Sequence, residues 1–153
     1  MADVSLNIGD VVPPGRFGQG VIATGGVSDK EPLPPLILFF FRECMIEHFR
    51  VTRTPRPPVS RLECAFAFES RDLAVFFAAV SQKPCYEVVP VDPSALISRH
   101  DMAWVDWMGQ SGTPPRAVAE ACERYWDGAA IETGDVSRWE WLSSSGLRVL
   151  GDA

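Results

Sequence analysis

Between positions 36 and 93 the apolar residues of this chain change their spacing three times, and each change marks an element. From Leu36 to about Arg53, Ile37, Phe40, Phe41, Cys44, Met45, His48 and Phe49 recur at threes and fours, leaving Arg42, Glu43, Glu47 and Arg50 for the other side. That spacing predicts an amphipathic helix with its apolar stripe toward a core, and it makes His48 a core histidine. Pro34 and Pro35 stand at its start, where the first N–H groups have no intrahelical partner. Thr54-Pro55-Arg56-Pro57-Pro58-Val59 ends it, since each proline removes a donor and biases its predecessor toward extended geometry. Ser60-Arg61-Leu62-Glu63-Cys64-Ala65-Phe66-Ala67-Phe68 then reads as a strand. Ser70 to Val80 returns to helical spacing with Ser70 as N-cap, and Cys85 to Pro93 reads as a second strand. This strand, helix, strand unit limits the fold more tightly than any other stretch.

The flanks are less regular. Residues 1 to 35 are rich in Gly and Pro and read as a loop-dominated arm with room only for short strands such as Val21-Ile22-Ala23. Within the arm, Gly15-Arg16-Phe17-Gly18-Gln19-Gly20 lacks the strand that precedes a phosphate cradle, so it reads as flexible connection. Ser94 to Gly112 is a loose segment carrying His100, Asp101, Trp104, Asp106 and Trp107. Thr113-Pro114-Pro115 opens another helix with Val118, Cys122, Tyr125 and Trp126 as its buried stripe, and Asp127-Gly128 closes it. Arg138 to Leu142 and Leu147 to Leu150 flank a Ser/Gly turn and read as a terminal hairpin, with Trp139 and Trp141 on one face and Glu140 on the other. The expected fold is α+β: one domain, residues 1 to 153, with an arm at 1 to 35 and a core at 36 to 153, built on a split or mixed sheet of short strands with about three helices.

Composition narrows the function classes. A chain of 153 residues can bury a core without staples, and a net charge of −6 argues against a general phosphate-backbone binder. Cys44, Cys64, Cys85 and Cys122 lie far apart with no CxxC pair, which predicts reduced core thiols in a cytoplasmic protein and no metal cage. Met1-Ala2-Asp3-Val4 has no secretory pattern, and the strongest apolar run, Leu36 to Phe41, is far too short to span a bilayer. GxSxG, P-loop, post-strand GxGxxG and HExxH motifs are missing, so the corresponding hydrolase, triphosphatase, Rossmann and zinc-protease readings have no support.

The run Cys64 to Phe68, the Glu69-Ser70-Arg71-Asp72-Leu73-Ala74 entry into a helix, Tyr86-Glu87-Val88-Val89-Pro90, and the closing Gly146-Leu147-Arg148-Val149-Leu150-Gly151 together resemble the small bacterial rifampin ADP-ribosyltransferases. The order of helix, Pro-rich break and Ser60-Arg61 also resembles uncharacterised bacterial domains of the ADP-ribosyltransferase fold. The similarity covers about two-thirds of the chain. It implies a cleft in a split β-sheet that binds NAD, or a related nucleotide, as a substrate, with nicotinamide released and ADP-ribose passed to an acceptor. Ile8 to Gly15 looks like the segment after the family's His-bearing strand, so by that spacing the histidine falls before Met1.

On this resemblance Arg61, Cys64, Phe66 and Trp104 are the cofactor-binding candidates. A guanidinium at Arg61 can grip a pyrophosphate with two parallel hydrogen bonds or pair with a surface carboxylate. Glu140 either lines the cleft and stabilises positive charge on the ribose or faces water as a strand-edge solubiliser. His100 and Asp101 are candidates for a proton-transfer pair. The tryptophans Trp104, Trp107, Trp126, Trp139 and Trp141 can stack on a base, fill the core, or form a surface through which a non-catalytic module on the same scaffold contacts a protein partner.

Overall fold

Proline and glycine punctuation decides where the regular elements stop, and the contacts between them decide everything else. The computed structural model describes residues 5–19, 34–108, 113–131 and 138–153, with the side chains of the first long helix from Phe39 onward. The elements are β1 (Val11–Val12), α1 (Pro34–Thr52), β2 (Ala65–Phe68), α2 (Arg71–Ser81), β3 (Tyr86–Pro90), β4 (Ile97–Asp101), α3 (Ala103–Met108), α4 (Pro115–Trp126), β5 (Trp139–Ser143) and β6 (Leu147–Asp152). A helical turn at 16–19 precedes α1. The fold is α+β. The strand expected at Val21-Ile22-Ala23 lies outside the described residues.

The described strands form two separate three-stranded sheets, ordered β1-β6-β3 and β2-β5-β4, and every pairing in both is antiparallel. In the second sheet Phe68 and His100 flank Glu140, while Phe66 and Ser98 flank Leu142. Residues opposite one another share a face, so these six side chains form its inner surface. Leu142, Ile46, Cys122, Tyr125 and Trp126 meet there in the main core, between this sheet and helices α1, α3 and α4. In the first sheet the register shifts between Glu87 and Val88, which leaves Leu150 as an extra residue on β6.

Several expectations hold at the level of single residues. Ser70 caps α2 by accepting from the Leu73 N–H, α1 begins at its two prolines, and Gly128 leaves α4 at φ 66°, where glycine meets no steric penalty. Others are corrected. Only 65–68 of the expected 60–68 strand is extended, because Arg61 to Glu63 form a turn. The loose segment after Pro93 contains a full strand, β4, and a short helix, α3. The expected terminal hairpin does not form: β5 and β6 follow one another across a short turn yet join different sheets. The strand, helix, strand unit divides the same way, with β2 in one sheet and β3 in the other.

The largest correction concerns α1. Its interior side chains are Glu43, Ile46 and Arg50, while Phe41 is 59% exposed, Met45 38%, and His48 faces solvent. The helix is rotated so that its charged side turns inward, because guanidinium and carboxylate partners await it there. The glycine-rich loop is likewise no free connection over 15–19. Gly15 N–H donates to the Cys64 carbonyl at 3.0 Å, and a Cβ on Gly18 would lie 1.9 Å from the Leu62 carbonyl oxygen. Only glycine permits that backbone contact.

Candidate functional site

Arg61 gathers the sequence-predicted residues, and it does so inside the protein. It sits in the turn ahead of β2 at 5% exposure. Its Nε donates to Glu43 Oε2 at 2.8 Å, and its Nη1 donates to Tyr125 Oη at 2.9 Å and to Glu140 Oε1. Tyr125 O–H donates to the same Glu140 oxygen at 2.8 Å, and Arg42 donates to Glu43 at 2.9 Å. The rings of Phe66, Phe17 and Tyr125 close around the guanidinium, with centroids 4.8, 5.4 and 5.5 Å from Cζ. Two arginines and two glutamates balance in charge, which is the condition for keeping such groups out of water. A second pair extends the cluster: Arg50 donates to Glu47, which also accepts from Ser60.

Burial and neighbours set the ionisation here. Burial pushes the Glu140 carboxyl up from its ordinary value, opposed by the adjacent Arg61 charge. Burial alone would lower the Arg61 pKa, but the carboxylates of Glu140 and Glu43 outweigh it and hold the guanidinium firmly charged. The Cys64 thiol is pushed by burial to about 12, and it donates to the Arg61 carbonyl. Cys64 is therefore a packed, protonated thiol. Cys122 is buried in the same way, while Cys44 and Cys85 are half-buried.

Glu140 does not face water, because Trp139 and Trp141 take the outer side of β5 and leave it the inner one. His100 and Asp101 do not pair with each other. As strand neighbours they point to opposite faces. His100 stacks on the Tyr125 ring at 4.6 Å, its Nδ1 lies 2.7 Å from the Tyr125 carbonyl oxygen, and its Nε2 is buried without a partner among the described residues. Burial lowers its pKa to about 4, so the ring is neutral. Asp101 accepts from the N–H groups of Ala103, Ile131 and Arg138 at 3.0, 3.0 and 2.8 Å, tying α3 and the chain ahead of β5 to β4. Trp104 donates from Nε1 to the Ala129 carbonyl at 2.8 Å. Among the indoles, Trp126 is buried, Trp104, Trp107 and Trp139 are half-buried, and Trp141 is 36% exposed. They do not form one outward-facing patch.

The open site lies between the two sheets. A cleft of about 900 Å³ runs from β2 to β3, walled by α2 and lined also by Leu147, Asp152 and Ala153. Phe66 and Phe68 from β2, Phe77 from α2 and Tyr86 from β3 supply its aromatic surface, and Phe68 stacks on Phe77 at 4.9 Å. Arg71, Lys83, Glu69, Glu87 and Asp152 supply its charge. Arg99 holds Glu69 and lowers its pKa, whereas Arg71, Lys83, Glu87 and Asp152 make no ion pair among the described residues. Both β2 and β3 are edge strands. Cys64 C=O turns outward to Gly15 and Glu69 N–H inward to β5, so alternation turns the backbone groups of Phe66 and Phe68 to the free edge.

Of the seven candidates, Phe66 alone reaches the cleft; Arg61, Glu140, His100, Asp101 and Cys64 are interior, and Trp104 packs against the core. Sequence reasoning missed Phe68, Phe77, Arg71 and Lys83. The signal for Phe77 was present in the helical spacing of Ala74, Phe77, Ala78 and Ser81, which face the cleft together. No helix among the described residues is long and apolar enough to cross a membrane. No protein-family model matches this sequence, and no curated protein is similar to it.

Proposed function

We propose that the chain binds a dinucleotide of the NAD class in the cleft between its two sheets and acts as an ADP-ribosyltransferase-like protein. The observation that carries this reading is the cleft itself, about 900 Å³ between the free edges of two antiparallel sheets. That volume falls within the roughly 300–1,000 Å³ of pockets that hold small ligands and cofactors. Phe66, Phe68 and Phe77 offer ring faces to a base, and Arg71 and Lys83 are cations available to a pyrophosphate. Arg61 and Glu140 form the internal frame that holds β2 against β5. Transfer of ADP-ribose with release of nicotinamide needs a carboxylate beside the ribose, and Glu87 and Asp152 are the cleft carboxylates without an arginine partner among the described residues.

Calorimetric titration with NAD tests the reading directly. Binding should appear at millimolar NAD or below and weaken about tenfold in Arg71→Ala/Lys83→Ala, the loss expected for charge-assisted contacts. Absence of heat from folded protein at millimolar NAD would sink the proposal. Nicotinamide release, if turnover follows binding, should fall in Glu87→Gln or Asp152→Asn.

A further inference from the structure

The cleft meets β2 and β3 at their edges. Consecutive strand residues point to opposite faces, yet Phe66, Ala67 and Phe68 of β2 all line it, as do Tyr86, Glu87 and Val88 of β3. Only an edge presents such a run to one space. On the β2 side the free backbone groups are those of Phe66 and Phe68. On the β3 side the Cys85 carbonyl and the Val91 N–H turn toward β6, bonding to Ala153 and Gly146, so alternation turns the N–H and C=O of Tyr86 and Val88 into the cleft. No turn or loop backbone group among the described residues bonds to these four residues. The β2 edge already takes one main-chain partner, since Gly15 N–H donates to the Cys64 carbonyl before the chain turns away at 16–19.

We propose that the cleft binds an extended segment of another protein, which enters as a strand between β2 and β3 and bridges the two sheets. Two rows of free N–H and C=O groups across one cleft specify main chain, because an extended polypeptide presents both groups on both of its edges. The space fits. Arg71, Ala74, Ala78 and Ser81 line the cleft from one end of α2 to the other. A helix of 11 residues is about 16 Å long, the span of about five strand residues. Such a strand, at sheet spacings of about 4.8 and 10 Å, fills about 800 Å³, close to the cleft's 900 Å³. The walls specify its side chains. Ala74, Phe77 and Ala78 take small apolar residues at alternate positions and leave the intervening ones to solvent. Charge specifies its ends. Arg71, in the first turn of α2, makes no ion pair among the described residues and favours an acidic side chain. Lys83, Glu87 and Asp152 gather where β3 begins, and there two carboxylates against one amine favour a basic side chain. An edge accepts a strand in either direction, so these charges choose which. The inference goes beyond the nucleotide reading and does not rest on it, because its hydrogen bonds come from backbone groups that reading leaves unused.

The test is a nuclear magnetic resonance titration of the full chain, without NAD, with the acetylated and amidated peptide Asp-Val-Ser-Val-Lys. Saturable binding is expected at millimolar peptide or below, with slowed hydrogen exchange at the Phe66, Phe68, Tyr86 and Val88 amides. N-methylation of the peptide's two valine amides leaves the protein untouched and removes donors, so it should weaken binding about tenfold or more. Arg71→Glu should weaken binding about two- to fivefold at low salt, and replacing the peptide's aspartate by lysine should recover that loss. Absence of binding by folded protein at millimolar peptide overturns the proposal. So does binding that N-methylation leaves unchanged, that protects none of the four amides, or that the charge exchange fails to restore.

Discussion

Helices α1 and α2 invert the usual relation between polarity and burial in opposite ways. The first turns Glu43 and Arg50 inward and leaves Phe41 outside; the second is apolar on both sides and has no fully buried residue. The difference lies in what each helix meets. Helix α1 lies over Arg61 and Ser60, which donate to its Glu43 and Glu47, while Arg61 also donates to Glu140. Helix α2 meets a cleft on one side and solvent on the other. Burial therefore follows the available partner, and hydropathy alone does not predict it when a charged cluster can be completed inside.

The sharpest way to break the contrast is to remove the partner of α1. Arg61→Ala should cost about 3–5 kcal/mol, because it leaves the buried Glu140 carboxyl with only the Tyr125 hydroxyl and Glu43 with only Arg42; denaturant unfolding would measure it. A loss below about 1 kcal/mol would show that water reaches the cluster. Acid provides the next largest effect. His100 is neutral and buried against Tyr125, Trp126 and the nearby Arg61 charge, and its pKa falls to about 4 in the fold from an ordinary 6.5. A depressed folded-state value means that the unfolded chain takes up the proton first. The His100 contribution is complete above pH 6.5 and is lost as the pH falls through about 4, on the order of 3 kcal/mol. Glu140, raised by burial, works in the opposite sense by accepting a proton more readily when folded. A urea series between pH 7 and 4 should show the decline, and His100→Gln should flatten it. The smallest effect is expected where α1 faces outward: Phe41→Ser should change stability by no more than about 0.5 kcal/mol. A loss several times larger would mean that Phe41 is covered in solution, which would bring the outer faces of the two helices closer in character than their exposures imply.

Local chemistry made part of this protein legible in advance. The proline start of α1, the Ser70 cap, the Gly128 exit from α4 and the alternation that sends Glu140 opposite Trp139 and Trp141 all follow from backbone sterics within a few residues. The candidate site was legible only in fragments. Arg61, Glu140 and His100 do assemble, but as an interior frame with Tyr125, and the cleft takes its walls from Phe68, Phe77, Arg71 and Lys83 instead.

Sequence by itself determined the three longest helices, most of the strands and the α+β class, because spacing and punctuation act locally. Tertiary structure alone decided that β5 and β6 part into separate sheets, that α1 buries its charges, and that a cleft opens along β2. Each of those outcomes depends on partners roughly 18 to 80 residues away, such as Glu43 and Glu140 on Arg61. A period of three or four states which residues share a face, and only the packed chain states what that face will meet.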